Sequence, residues 1–245
     1  MKRIILLLLT TFAVALTFNS CIIDFYDDND GFCVRGEGPV VSRELNMPFF
    51  RGIDLEVPAK VLITQGPTLR VRAEGYDNIV NAIERDVRNG IWEIEFNDCV
   101  RNIGELTIYV TMPEIASLRI SGTGDIIGEN FFTTDDIELI ISGTGKIDLG
   151  LDADDIYARI SGTGNIILEG DADELELEST GTGDFRAFQL KLNRADIEIT
   201  GAGDAEVFVT NYLRVRITGT GDVLYRGNPR IDFNITGTGD LIDAN

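Results

Sequence analysis

Histidine is missing from all 245 residues, and that absence removes more chemistry than any other. Ser-His-Asp and Cys-His catalysis need an imidazole, and zinc or redox-metal sites lean on imidazole and thiolate ligands. Carboxylate, Lys, Arg and Tyr chemistry is what remains. Positive charge is scarce as well. Lys and Arg number 21 against 41 Asp and Glu, a net charge of −20, so the chain repels nucleic acid and anionic lipid surfaces. No DNA or RNA partner is expected. Past the amino-terminal segment there is no second long apolar run to argue for a transmembrane helix. A phosphate-cradling loop is missing too, because the Gly-Thr-Gly segments lack the Lys-Ser/Thr and following helix that such a loop requires.

The amino terminus carries an address. Met1-Lys2-Arg3 is a positive n-region, Ile4 to Phe18 is uncharged and mostly apolar, and Asn19-Ser20 precedes Cys21. This reads as a signal peptide over residues 1–20. The cysteine at the cleavage point resembles the relaxed lipobox of Bacteroidetes lipoproteins. That resemblance implies lipidation of Cys21 and anchoring in the outer membrane, since two or more acyl chains hold stably where one does not. Residues 21–46 open with the acidic run Asp24-Phe25-Tyr26-Asp27-Asp28-Asn29-Asp30 and are expected to be a solvated tether. An acidic tract behind a lipidated cysteine resembles a surface-export signal, so an outward-facing anchor is favoured over a periplasmic one. With Cys21 acylated, Cys33 and Cys99 are left as an even pair in an oxidising compartment. The spacing leaves open whether they form a disulfide or two buried thiols.

What the chain has in abundance is repetition. Gly-Thr-Gly-Asp or a near copy begins at Gly122, Gly143, Gly162, Gly181, Gly201, Gly219 and Gly237, with gaps of 21, 19, 19, 20, 18 and 18 residues. A period near twenty marks a solenoid whose turns stack on one another. Upstream of each glycine pair apolar residues alternate with polar ones, as in Ile137, Leu139, Ile141 and Leu213, Val215, Ile217. Period two means strand, with one face buried. The second glycines, Gly124, Gly145, Gly164, Gly183, Gly203, Gly221 and Gly239, share the inward parity of the first. Repeated glycines there predict a corner or narrow waist where another backbone comes close.

Outward positions form columns. One is Thr123, Thr144, Thr163, Thr182, Ala202, Thr220 and Thr238; the next is Asp125, Lys146, Asn165, Asp184, Asp204, Asp222 and Asp240. Threonine suits strands, and Asp or Asn suits a turn by bonding nearby backbone, so stacking alone explains both. The functional alternative is a flat polar face that binds a glycan, a protein, calcium or ice. Calcium prefers oxygen ligands, but carboxylates interrupted by Lys146 make a poor cage, and neither a metal nor another cofactor is expected.

Residues 47–115 alternate cleanly, as in Lys60-Val61-Leu62-Ile63-Thr64 and Leu106-Thr107-Ile108-Tyr109-Val110, without the glycine motif. They read as first rungs and cap of one domain spanning 47–245, with the repeats over 116–245; residues 78–88 fit a short helix or a strand pair. The sequence stops five residues past Asp240, which leaves little to cap the last rung and predicts self-association there.

Phe50-Arg51-Gly52-Ile53, Val61-Leu62-Ile63-Thr64-Gln65-Gly66, Ile91-Trp92-Glu93-Ile94 and Leu106 to Pro113, followed by the Ser/Thr-Gly-Thr-Gly-Asp run, resemble the putative auto-transporter adhesin, head GIN domain family. The resemblance covers about residues 47–245 and implies a right-handed parallel β-helix-like solenoid, with no catalytic residues to carry over. Two function classes follow. One is a non-catalytic surface binding module or envelope structural part. The other is a carbohydrate-active β-helix enzyme using pairs such as Asp135-Asp136 and Asp154-Asp155. Glycosidic carboxyls must face each other across a groove, whereas neighbours on a strand are expected to point apart. The binding or structural class is the expectation.

Overall fold

The computed structural model describes residues 33–245; the signal segment and Cys21 lie outside them. The lead-in comprises β1 (Val34–Arg35), β2 (Val40–Leu45), β3 (Gly52–Leu55), β4 (Ala59–Gln65), β5 (Arg70–Tyr76), α1 (Asp77–Ala82), β6 (Val87–Arg88), β7 (Ile91–Ile94), β8 (Val100–Arg101) and β9 (Thr107–Met112). The repeats supply β10 (Ser117–Ile120), β11 (Thr123–Gly128), β12 (Phe132–Ile141), β13 (Thr144–Ile160), β14 (Asn165–Ser179), β15 (Phe185–Ile199), β16 (Ala205–Ile217), β17 (Val223–Arg226), β18 (Arg230–Ile235) and β19 (Leu241–Asp243). The parallel strands among them stack into a β-solenoid of about seven turns, near 19 residues each.

Rung length and side-chain parity are linked. A rung with an odd number of residues must break period-two alternation once if the next rung's apolar residues are to fall on those below. The 19-residue rung from Gly143 to Gly162 buries Ile147, Leu149, Leu151 and Ala153, then Ile156, Ala158 and Ile160, with Asp154 and Asp155 both exposed at the slip. The next rung slips at Asp173 and Glu174. Register is thereby kept, with Ile147 opposite Ile166 and Ile156 opposite Leu175. The 20-residue rung needs two slips, at Phe188-Gln189 and at Asn193-Arg194. Adjacent acidic residues at a slip therefore both face solvent, contrary to the expectation that they point apart.

The lead-in differs from a simple run of first rungs. β3 and β4 stack beneath β10 and β11, but the next rung outward is built from later residues, β7 on β3 and β9 on β4. Beyond β9 the pairing turns antiparallel, first β5 and then β2. Strand reversal ends the parallel stack, and α1 adds Ile79, Val80 and Ala82 to the core beside it. Of the two readings of residues 78–88, the short helix is the one found, as α1; β6 at its end pairs with β7 outside the segment. The tether boundary needs correction. Val34–Arg35 and Val40–Leu45 are strands rather than solvated chain, and β2 hydrogen-bonds along β5 and buries Leu45. Cys33 and Cys99 form a disulfide, with Cα atoms 4.6 Å apart, beside the small ladder of β1 on β8. Phe50 and Trp92, ring centroids 5.5 Å apart, fill this end of the core, and the indole Nε1 donates to the Glu84 carbonyl at 3.0 Å. At the far end Phe233 is 60 % exposed, although Val215 in the same column is fully buried.

Candidate binding surface

The glycine corner is shaped by contact between rungs. Thr144, Thr163, Thr182, Ala202, Thr220 and Thr238 each donate their backbone N–H to the first-glycine carbonyl of the rung below, at 2.9–3.1 Å. Those carbonyls point up the stack into the space where a Cβ on the next first glycine would sit. The second column behaves alike: a Cβ at Gly183 would lie within the van der Waals shell of the Gly164 carbonyl oxygen and 2.8 Å from its carbon. The obstruction runs along the solenoid axis, through a neighbouring backbone, rather than from a narrow waist in the coil.

Thr123, Thr144, Thr163, Thr182, Thr220 and Thr238 are all exposed, and the Thr144 and Thr163 hydroxyls are 3.1 Å apart. The acidic column beside them is committed to the stack. The Oδ1 of Asp184 accepts the Asp204 N–H at 3.2 Å, Asp204 accepts from Asp222 at 2.8 Å, and Asp222 from Asp240 at 2.7 Å. Asp125 accepts from Lys146 at 3.0 Å, and Asn165 from Asp184 at 2.8 Å. The partner is the next rung's backbone, not the nearby backbone a turn would use. Lys146 has no acceptor to offer, and its Nζ instead meets Asp148 at 3.0 Å. Among the described residues no group of three or more His, Cys, Asp or Glu is placed to hold a metal ion.

A groove of about 790 Å³ lies where the lead-in meets the repeats, and it gathers Arg51, Glu114, Asp135, Asp136, Glu138, Asp155 and Tyr157. Burial raises the Glu138 pKa, but hydrogen bonds from Arg119 and Ser117 and the Arg119 charge outweigh it, leaving the carboxyl below its ordinary value. Arg119 Nη2 lies 2.6 Å from Glu138 Oε2. Asp136 and Asp155 are partners in one column.

Another corner carries aromatics that sequence reasoning passed over. Phe131, 57 % exposed, lies over Gly150 and Gly170. Three rungs on, the pairing of β15 with β16 shifts register between Ala187 and Lys191, and Phe188 is left without a partner in either neighbouring strand. Phe208 and Arg226 are paired positions in the rungs beyond. The guanidinium carbon of Arg226 lies 4.1 Å over the Phe188 ring. The detectable signal was the change of spacing from 20 to 18 residues across this rung.

A family model described as putative auto-transporter adhesin, head GIN domain, matches residues 49–229. Among solved structures, a putative adhesin from Bacteroides fragilis is 26 % identical, with a TM-score of 0.81 over 85 % of this chain and 98 % of its own. Two others share the fold. A putative adhesin from Parabacteroides merdae has 19 % identity and a TM-score of 0.68, covering 86 % of this chain and 100 % of its own. A putative lipid binding protein from Parabacteroides distasonis has 18 % identity and a TM-score of 0.68, covering 86 % and 99 %. No curated protein sequence matches the chain.

Proposed function

The chain belongs to the putative auto-transporter adhesin, head GIN domain family, and from that membership we propose a non-catalytic binding module, anchored by lipid at Cys21 in the outer membrane and facing outward. The observation that carries the reading is the family match over most of the solenoid. The leader and lipobox-like Cys21 support anchoring, and the acidic run behind it supports surface export. A parallel stack whose corner carbonyls and acidic column are satisfied by the next rung is a stiff rod suited to holding a ligand face away from the membrane. The unidentified ligand is a glycan or a protein.

The junction groove is where an enzyme reading would look. Glycoside cleavage needs one carboxyl held protonated by a raised pKa. Glu138 is displaced the other way by Arg119, and Asp136 and Asp155 are stacked neighbours rather than an opposed pair.

Treating intact cells with a protease or a membrane-impermeant label tests the placement. Reaction on unbroken cells is expected. Protection until lysis would remove adhesion and leave a periplasmic structural part.

A further inference from the structure

The seven motif copies are near-equivalent, so a recognition site on this rod should lie where the repeat is broken. The largest break is at β15. Ala187 pairs with Val207, but the next paired residues are Lys191 and Phe208, so Phe188, Gln189 and Leu190 have no partner in β16, and Phe188 has none in β14 either. Bulges of this kind re-aim side chains and are enriched beside functional sites. Here the bulge opens a groove of about 860 Å³ lined by Phe188, Gln189, Phe208, Arg226 and Asn228. Gly227 in its wall has φ +96° and no side chain to set against Phe208, the nearest side chain to a Cβ built there.

The charge in this groove is unusual for so acidic a protein. Arg214 and Arg216 on the neighbouring face each meet carboxylates of adjacent rungs, at 3.2 Å and 3.3 Å for their shortest ion pairs. Arg226 forms no ion pair among the described residues. Its Nε reaches the Ala244 carbonyl at 3.4 Å, and its guanidinium carbon sits over the Phe188 ring. Stacking on an aromatic face holds a guanidinium in place without consuming its remaining donors. The groove therefore offers an aromatic wall in Phe208, amide groups in Gln189 and Asn228, and a positioned cation.

We infer that this groove is a ligand subsite for a sugar ring bearing a carboxylate, the ring packing on Phe208 and the carboxylate taking paired hydrogen bonds from Arg226. An aromatic face accepts the apolar C–H face of a pyranose, amides suit its hydroxyls, and a guanidinium fork matches a carboxylate. Phe131 lies on the same corner, over Gly150 and Gly170, whose rungs precede Phe188 at spacings of about 4.8 Å. It would extend the track for a longer saccharide.

This inference rests on the binding-module reading and names its ligand class. Purified protein is applied to immobilised glycans that are neutral, sulfated or carboxylate-bearing, the last including uronates and sialic acid. Retention confined to carboxylate-bearing glycans is expected, with about a tenfold loss for Arg226→Gln, whose exposed side chain can be replaced without disturbing the core. Phe208→Ala should lose binding too, and its melting temperature shows whether the rod is intact. No retention, equal retention of neutral glycans, preference for sulfated ones, or retention unmoved by Arg226→Gln each overturns it. Failure on the array with labelling on intact cells sinks this subsite alone. Protection on intact cells sinks the surface reading and leaves the array result standing.

Discussion

A missing Cβ is the smallest feature on which this rod depends. Gly183 cannot carry a methyl group because the Gly164 carbonyl occupies that space, and backbone cannot swing aside as a flexible side chain could. Gly183→Ala is expected to cost about 4 kcal/mol or more in urea denaturation, whereas Thr182→Ala, exposed beside it, should stay within about 0.5 kcal/mol. The acidic column yields a finer test. Asp204→Ala removes the acceptor for the Asp222 N–H and should cost about 1 kcal/mol. Asp204→Asn should be nearly neutral, as Asn165 already fills that role for Asp184. Glu138 supplies a pH test. Its folded pKa is lowered against burial by Arg119 and Ser117, so its stabilisation is present above the unfolded carboxylate range and lost as pH falls through the folded value. Stability curves of the parent and Glu138→Gln should differ most above about pH 5 and converge in acid. A constant gap at all pH values would contradict the ion-pair account.

Among the elements, the short ladder of β1 on β8 depends most on a covalent link. These strands form a sheet of their own, and two residues each is too little to hold without help. The Cys33–Cys99 bond joins positions 66 residues apart, a loop whose closure is worth about 4 kcal/mol in the chain-entropy description. Replacing both cysteines by Ser should lower stability by up to that amount. Amide exchange should show β1 and β8 released first, with β13 to β15 unchanged. The bulged element β15 matters differently. Its extra residues leave the core columns intact, since Leu190 and Leu192 remain buried, and spend the surplus length on Phe188 and Gln189 at the surface.

At the scale of the whole molecule, stability should be graded along the axis, because each rung gains only from its neighbours. β13, β14 and β15 have a parallel partner on both sides. β18 and β19 have one partner each, on a single side, and Phe233 is 60 % exposed. Native-state hydrogen exchange should therefore be slowest in β13 to β15 and fastest in β18 and β19. Uniform protection would mean that the last rung is covered in solution.

The amino-acid order by itself determined the period, the inward columns and the glycine positions. These are local: period-two alternation and a recurring Gly-Thr-Gly can be read without knowing what a strand touches. Ile147, Ile166 and Leu168 were legible as core from parity alone, and all are buried. Tertiary structure decided which edge covers which. β7 and β9 lie outside β3 and β4 despite following them in the chain, and residues 40–45 fold back onto β5. The Asp column bonds the next rung, and Phe188, Phe208 and Arg226 line one groove although they come from three successive rungs. None of these follows from local pattern, because covering a strand edge and gathering side chains across rungs are choices among distant segments, settled by the free energy of the assembled stack.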